Sequence, residues 1–393
     1  MARKTYTLTP LSPVHIGTGE ELTPLDYKVA ALSSSGEKKY WKFSNDRIIQ
    51  RLIDDGNKKE MKSFEQISEQ GTMKELQRFF QANCTTESDI DYICEITERI
   101  KKTYNENRGK DPMQNAEIVL QMYRTPGRAS RPIIPGSSLK GSIRTALLNM
   151  FLAKLPDNVY DRMEENFKRE RDASRYDRTL QQQLFQYDDA KNDPLRAVSI
   201  PDCSFHPKGT QLVGGLKLVY FSEQAETLEP LGTQIQAEVI RGKLLGGNVS
   251  PELCISVNDK LQKANLAQRR DDKPKYLKNI SLEDIHASCN WFYWREFERE
   301  YEKFYKNVSD GSEEMIVGLK NGLEKARDTP GQFIVRVGRW SQVEFVTLEE
   351  NFRKPDTKKD RSGRPLGSGK TRTLFDYDGK YVPMGWCVLA EKR

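Results

Sequence analysis

Histidine is scarce in this chain. Three are spread over 393 residues that also carry 57 acidic and 63 basic side chains. The six cysteines, Cys84, Cys94, Cys203, Cys254, Cys289 and Cys387, form no CxxC pair. With so few histidines this excludes the ligand spacing of a structural zinc site, and free thiols in a reducing compartment are expected. Long apolar runs are also missing. The best, Thr145 to Ala153, is interrupted by Asn149 and is far too short to span a bilayer. The first residues, Met1-Ala2-Arg3-Lys4-Thr5-Tyr6, lack the apolar region of a secretion signal. The reading is a cytoplasmic protein without membrane, metal or cofactor. A strongly basic tail is absent too, so any contact with nucleic acid must come from local patches of a chain whose net charge is only +6.

One patch stands out. Between Ile118 and Pro156 there is no Asp or Glu, while Arg124, Arg128, Arg131, Lys140, Arg144 and Lys154 all fall there. Its centre, Arg131-Pro132-Ile133-Ile134-Pro135-Gly136-Ser137-Ser138-Leu139-Lys140-Gly141-Ser142-Ile143-Arg144, reads as an extended approach, a Pro-Gly turn and a helix start. Leu139, Ile143, Ala146, Leu147, Met150 and Phe151 share one helical face, and Ser137, Lys140, Gly141 and Arg144 the other. Ser137 or Ser138 is the expected N-cap. Free N–H groups, hydroxyls, two cations and a glycine admitting close approach suit a phosphate.

Along the rest of the chain, Thr5–Leu11, Asp26–Leu32, Tyr40–Phe43, Arg196–Phe205, Leu212–Phe221, Thr233–Val239, Glu252–Val257, Gln332–Arg339 and Trp386–Leu389 read as strands. Residues 45–121 read as a helical insertion, the densely charged Asp157–Gln183 as helical or mobile, and Ser281–Lys306 as helical. The fold class is therefore α+β. The division expected is a discontinuous core of residues 1–44 and 122–260, the insertion at 45–121, and a C-terminal part at 261–393. Trp294, Phe297, Tyr301 and Phe304 recur at helical spacing; such a stripe can stack on bases, but core packing is the better reading.

Other candidates carry less. Gly367-Ser368-Gly369-Lys370-Thr371 is no nucleotide-binding P-loop, because Arg364 stands where its first glycine belongs. The segment Arg353–Arg372, which includes Lys370 and Arg372, still sets eight basic residues against Asp356 and Asp360 and could track a nucleic-acid backbone. His15, in the glycine loop Val14-His15-Ile16-Gly17-Thr18-Gly19, could serve as a general base, and Asp26 as an acid or metal ligand; structural roles are favoured for both. Asp202 is expected to act as a turn or cap.

Together these segments resemble one family. The Val14–Gly19 loop, the Ile134–Arg144 string, Arg196-Ala197-Val198-Ser199-Ile200-Pro201-Asp202 and the glycine-rich Leu366–Lys370 are similar, in order, to the motifs of the RAMP superfamily of CRISPR systems. Within it the chain is similar to the type III-A Csm subunits that cap the crRNA 3′-end side of the effector filament. The resemblance implies a ferredoxin-like (RRM-like) core with a helical insertion and a C-terminal α+β extension. It implies that Gly136, Ser137, Ser138, Lys140, Gly141 and Arg144 bind guide RNA; Arg128, Arg131, Lys370 and Arg372, from the basic segments, are expected to join them. The implied partners are crRNA, target RNA and other Csm subunits (the repeating backbone subunit and the small subunit), with a cellular nuclease as a further docking partner. The glycines that precede the cleaving Asp of backbone subunits are replaced by Leu22-Thr23-Pro24-Leu25, so a non-catalytic subunit is expected; a ribonuclease using Asp26 or His15 is the alternative.

Overall fold

Tyr6 and Leu8 are buried while the threonines beside them are only partly covered, so β1 (Ala2–Pro10) turns one face to the core as a period of two requires. It opens the first of the sheets in this computed structural model, which describes residues 2–31, 36–107, 118–127, 130–169, 173–207, 211–222, 226–261, 280–353 and 371–392. After β1 the elements of this layer are α1 (Gly136–Leu152), β2 (Val198–Ser199), β3 (Glu252–Val257), α2 (Leu282–Glu300), β4 (Gln332–Arg336) and β5 (Trp386–Glu391). The sheet runs β4-β5-β1-β3-β2 with every pairing antiparallel. The order β5-β1-β3-β2, with helices following β1 and β3, is that of a ferredoxin-like βαββαβ unit. Here the last strand takes the fourth place, and β4 is added outside it as an edge.

The expected apolar stripe of α1 is buried at Leu139, Ile143, Ala146, Leu147 and Phe151, with Met150 partly covered. It packs on α2 through Phe292, Tyr293 and Phe297, and both helices share a core with Tyr6, Leu8, Trp386 and Leu389. α2 starts at a capping box: Ser281 Oγ accepts from the Asp284 N–H at 3.0 Å, and the Asp284 carboxylate accepts from the Ser281 N–H at 2.9 Å. Trp294, Phe297 and Phe304 are core residues, and Tyr301 is half-buried against them. After Glu300 the helix widens into a π-turn over Tyr301–Tyr305.

The second, nine-stranded sheet corrects two expectations. Residues 45–121 are helical at Asn45–Asp54, Lys58–Gln70, Met73–Asn83 and Glu98–Asn107, but they also supply two of its strands, Ile90–Ile96 and Val119–Met122. The strand Arg372–Tyr377, with Lys380–Val382 beside it, was not anticipated; it pairs with the long strand Gln211–Ser222, which also pairs with Thr227–Ile240 and Ile90–Ile96. Gly17–Leu22 lies at one edge of this sheet, next to Val119–Met122. No helix among the described residues is long and apolar enough to cross a membrane.

Candidate nucleic-acid interface

α1 begins earlier than its serines suggested. Pro135 is the N-cap and makes no side-chain cap; Gly136 is the first helical residue. The first free N–H is taken inside the protein, because Gly136 N–H donates to Asp202 Oδ1 at 2.8 Å. A Cβ at Gly136 would lie 2.0 Å from the Ile200 carbonyl oxygen, so only glycine lets the turn dock on the Ile200–Asp202 segment. The end of the helix thus already holds a carboxylate, the cap role expected of Asp202, and is not an open anion site.

What is open is the side of its first two turns. Ser138, Gly141, Ser142 and Thr145, at helical spacing, form one wall of a groove of about 710 Å³. Ile16, Gly17, Gly19 and Glu21 form the second wall, and the residues after β4, among them Gly338, Arg339 and Ser341, the third. Two of these walls are stitched together. Arg339 N–H donates to the His15 carbonyl at 3.0 Å, and Gly338, at φ +99°, passes so close that a Cβ would lie 2.5 Å from that oxygen. The helix wall is tied on by Ser142 Oγ, which donates to the Arg336 carbonyl at 2.8 Å. Gly141 differs from these glycines. It is exposed, and a Cβ there would meet nothing within 4 Å. No internal packing calls for a helix-weakening residue at this position. Arg339, exposed over the Trp340 ring at 5.5 Å, is the cation that lines the groove in the open. Sequence reading missed it. The available signal was a Gly-Arg pair ending a strongly alternating strand.

The other basic candidates are placed differently. Lys140 Nζ donates to the Val198 carbonyl at 2.8 Å, and burial holds its ammonium below the ordinary lysine range. Arg144 pairs with Asp193 and sits 5.3 Å over the Phe185 ring. Neither lines the groove. Arg372 is a correction. It is buried, bonded to Glu300 at 2.6 Å and to Glu344 at 3.1 Å, and offers no surface cation. Arg131 and Ser137 are exposed. Arg128 and Lys370 lie outside the described residues.

The two residues considered for cleavage have structural surroundings. His15 is buried, with Nδ1 2.7 Å from the Glu238 carbonyl and its ring 4.8 Å from Trp340; burial lowers its pKa. Asp26 Oδ2 accepts from both the N–H and the hydroxyl of Thr23 at 2.9 Å, closing a turn before the next strand. Neither lines the groove. No cluster of three or more His, Cys, Asp or Glu suited to a metal ion occurs among the described residues.

No curated protein matches the chain. Its fold is similar to a chain of a Csm–crRNA–target RNA ternary complex of a type III-A CRISPR-Cas system, with a TM-score of 0.68 at 19% identity over 99% of this chain and 100% of that one. It is also similar to T. onnurineus Csm5, with a TM-score of 0.62 at 20% identity over 97% and 99% of the two chains. A family model described as the RAMP superfamily matches residues 7–380, so the glycine loop after β1, the start of α1 and the arginine loop after β4 are set in one family framework: the chain belongs to the RAMP superfamily.

Proposed function

We propose that this chain is a non-catalytic RNA-binding subunit of a type III-A CRISPR effector complex, which holds guide RNA along the groove beside α1. In this reading it sits at the crRNA 3′ side, ends the filament of related subunits, contacts other Csm subunits and the target RNA, and influences how far the crRNA 3′ end is trimmed. Gly141 carries the proposal. An exposed glycine without a packing reason inside a helix is costly, and close approach by a ligand accounts for it. Support also comes from the exposed Arg339 on the same groove and from the near full-length likeness to the two Csm structures. The occupied carboxylate of Asp26 and the buried imidazole of His15 favour binding over cleavage.

Phosphate contacts carry no base information, so spacer sequence should matter little to overall capture. About five such contacts give a log-affinity against log-salt slope on the order of −3.5 for a single strand. The test is a salt titration of short single-stranded RNA with the whole protein. Arg339→Ala should weaken binding and make the slope shallower by about 0.7. Gly141→Glu should abolish binding while the protein stays folded. Wild-type binding by both variants would remove the groove from the account.

A further inference from the structure

The groove is built for more than a backbone. At about 710 Å³ it lies within the range, roughly 300–1,000 Å³, of clefts that enclose small organic ligands, and a phosphate fills little of that. One part of its lining is apolar: the half-buried Ile16 and exposed Val346, with the largely buried Leu120 and Phe345 behind the surface. Val346 is 57% exposed, an aliphatic side chain held toward solvent at the groove. Apolar surface is a poor neighbour for a phosphate and a good one for the face of a base.

A second observation points the same way. Glu21 lies directly opposite Leu120 in the pairing of Gly17–Leu22 with Val119–Met122, so the two residues lie side by side on one face of the sheet. Glu21 is exposed and has no ion-pair partner among the described residues. A carboxylate repels a phosphate and accepts from N–H groups on a base edge. Arg339 and Glu21 therefore divide the groove into parts of opposite preference.

We propose that the groove seats one unstacked nucleobase of the bound strand against Ile16, Leu120 and Val346, with Glu21 accepting from its edge, while Arg339 meets the backbone. This rests on the RNA-binding reading and narrows it. The slot favours an amino-bearing base such as cytosine. The Watson–Crick edge of uracil has a single donor between two carbonyl oxygens, which a carboxylate repels.

The experiment compares oligocytidine, oligouridine and an abasic ribose-phosphate strand of equal length, each titrated with the full chain at two salt concentrations. The abasic strand is expected to bind roughly tenfold more weakly than oligocytidine with the same salt slope. Val346→Ser, a surface change, should weaken oligocytidine by about threefold and leave the abasic strand unaffected. Glu21→Gln should bring the oligocytidine-to-oligouridine ratio toward one. Equal binding of the abasic strand and oligocytidine, or a Val346→Ser loss shared by both, would overturn the base slot and leave backbone binding standing. Binding of none of the three strands would remove the RNA-binding reading itself.

Discussion

The two flanks of α1 carry different kinds of residue and have different neighbours. On one, Lys140 turns its ammonium to the Val198 carbonyl and Arg144 pairs with Asp193, so both heads are engaged within the protein. On the other, Ser138, Gly141 and Thr145 offer little charge and face the groove. The opposite wall repeats the division over three residues. Arg336 is 0% exposed, donates to Glu300 at 3.0 Å and lies 4.3 Å over the Phe345 ring, whereas Arg339 is exposed at the groove. A basic residue signals that an anion is near, but the anion can be the protein's own carboxylate. Small side chains without an internal role are the better mark of a surface kept clear.

This contrast can be broken most severely at Glu300, which bonds both Arg336 and Arg372. Glu300→Ala takes the carboxylate from buried Arg336 and leaves Arg372 with Glu344 alone, and should cost about 3–5 kcal/mol in denaturant unfolding. A loss below 1 kcal/mol would mean that these cations are not held as described. Next is the pair Lys140→Ala and Arg144→Ala. If the flank is structural, the double variant loses about 1–2 kcal/mol of stability, chiefly through Asp193, and keeps most of its RNA affinity once folded. A selective loss of affinity at unchanged stability would return the RNA to that flank and reverse the contrast. Smaller still is Gly141→Ala. It should stabilise the protein by about 0.5–1 kcal/mol while weakening RNA binding. Gains in both would show that the glycine serves no ligand.

The smallest expected effect is a pH trend. Burial lowers the pKa of His15 and of the half-buried His286, so folding disfavours the charged form of each ring. A depressed folded value means the unfolded chain binds protons first. Their contribution is therefore whole above the unfolded-state value of about 6.5 and is lost as pH falls from there toward the folded values. Denaturation midpoints should decline between about pH 6.5 and pH 5, before most carboxylates titrate. A flat or rising midpoint would contradict the burial of these rings.

Much of the first layer was legible because its signals are local. The alternation in β1, the Leu139–Phe151 stripe of α1 and the aromatic stripe of α2 all act within a few residues. The helix start was misplaced because its first N–H is satisfied by Asp202, 66 residues away, which no local window contains. Ile90–Ile96 and Val119–Met122 lie within a polar, helix-rich stretch and owe their conformation to partners elsewhere in the second sheet. The groove followed the same rule. Its small residues were readable around Gly136–Ser142, but Arg339 and Glu21 reach it only because distant strands bring them there.

β5 fills the gap between β1 and β4: Thr7 faces Ala390 across one border and Val335 faces Cys387 across the other. Among the described residues β4 has no other neighbour in its sheet. A chain leaving the ribosome therefore exposes β4, and the Gly338–Arg339 wall behind it, well before the strand that ties both to β1 has been made. The groove is complete only when Trp386–Glu391 has emerged, and a nascent chain halted short of that strand lacks its finished wall.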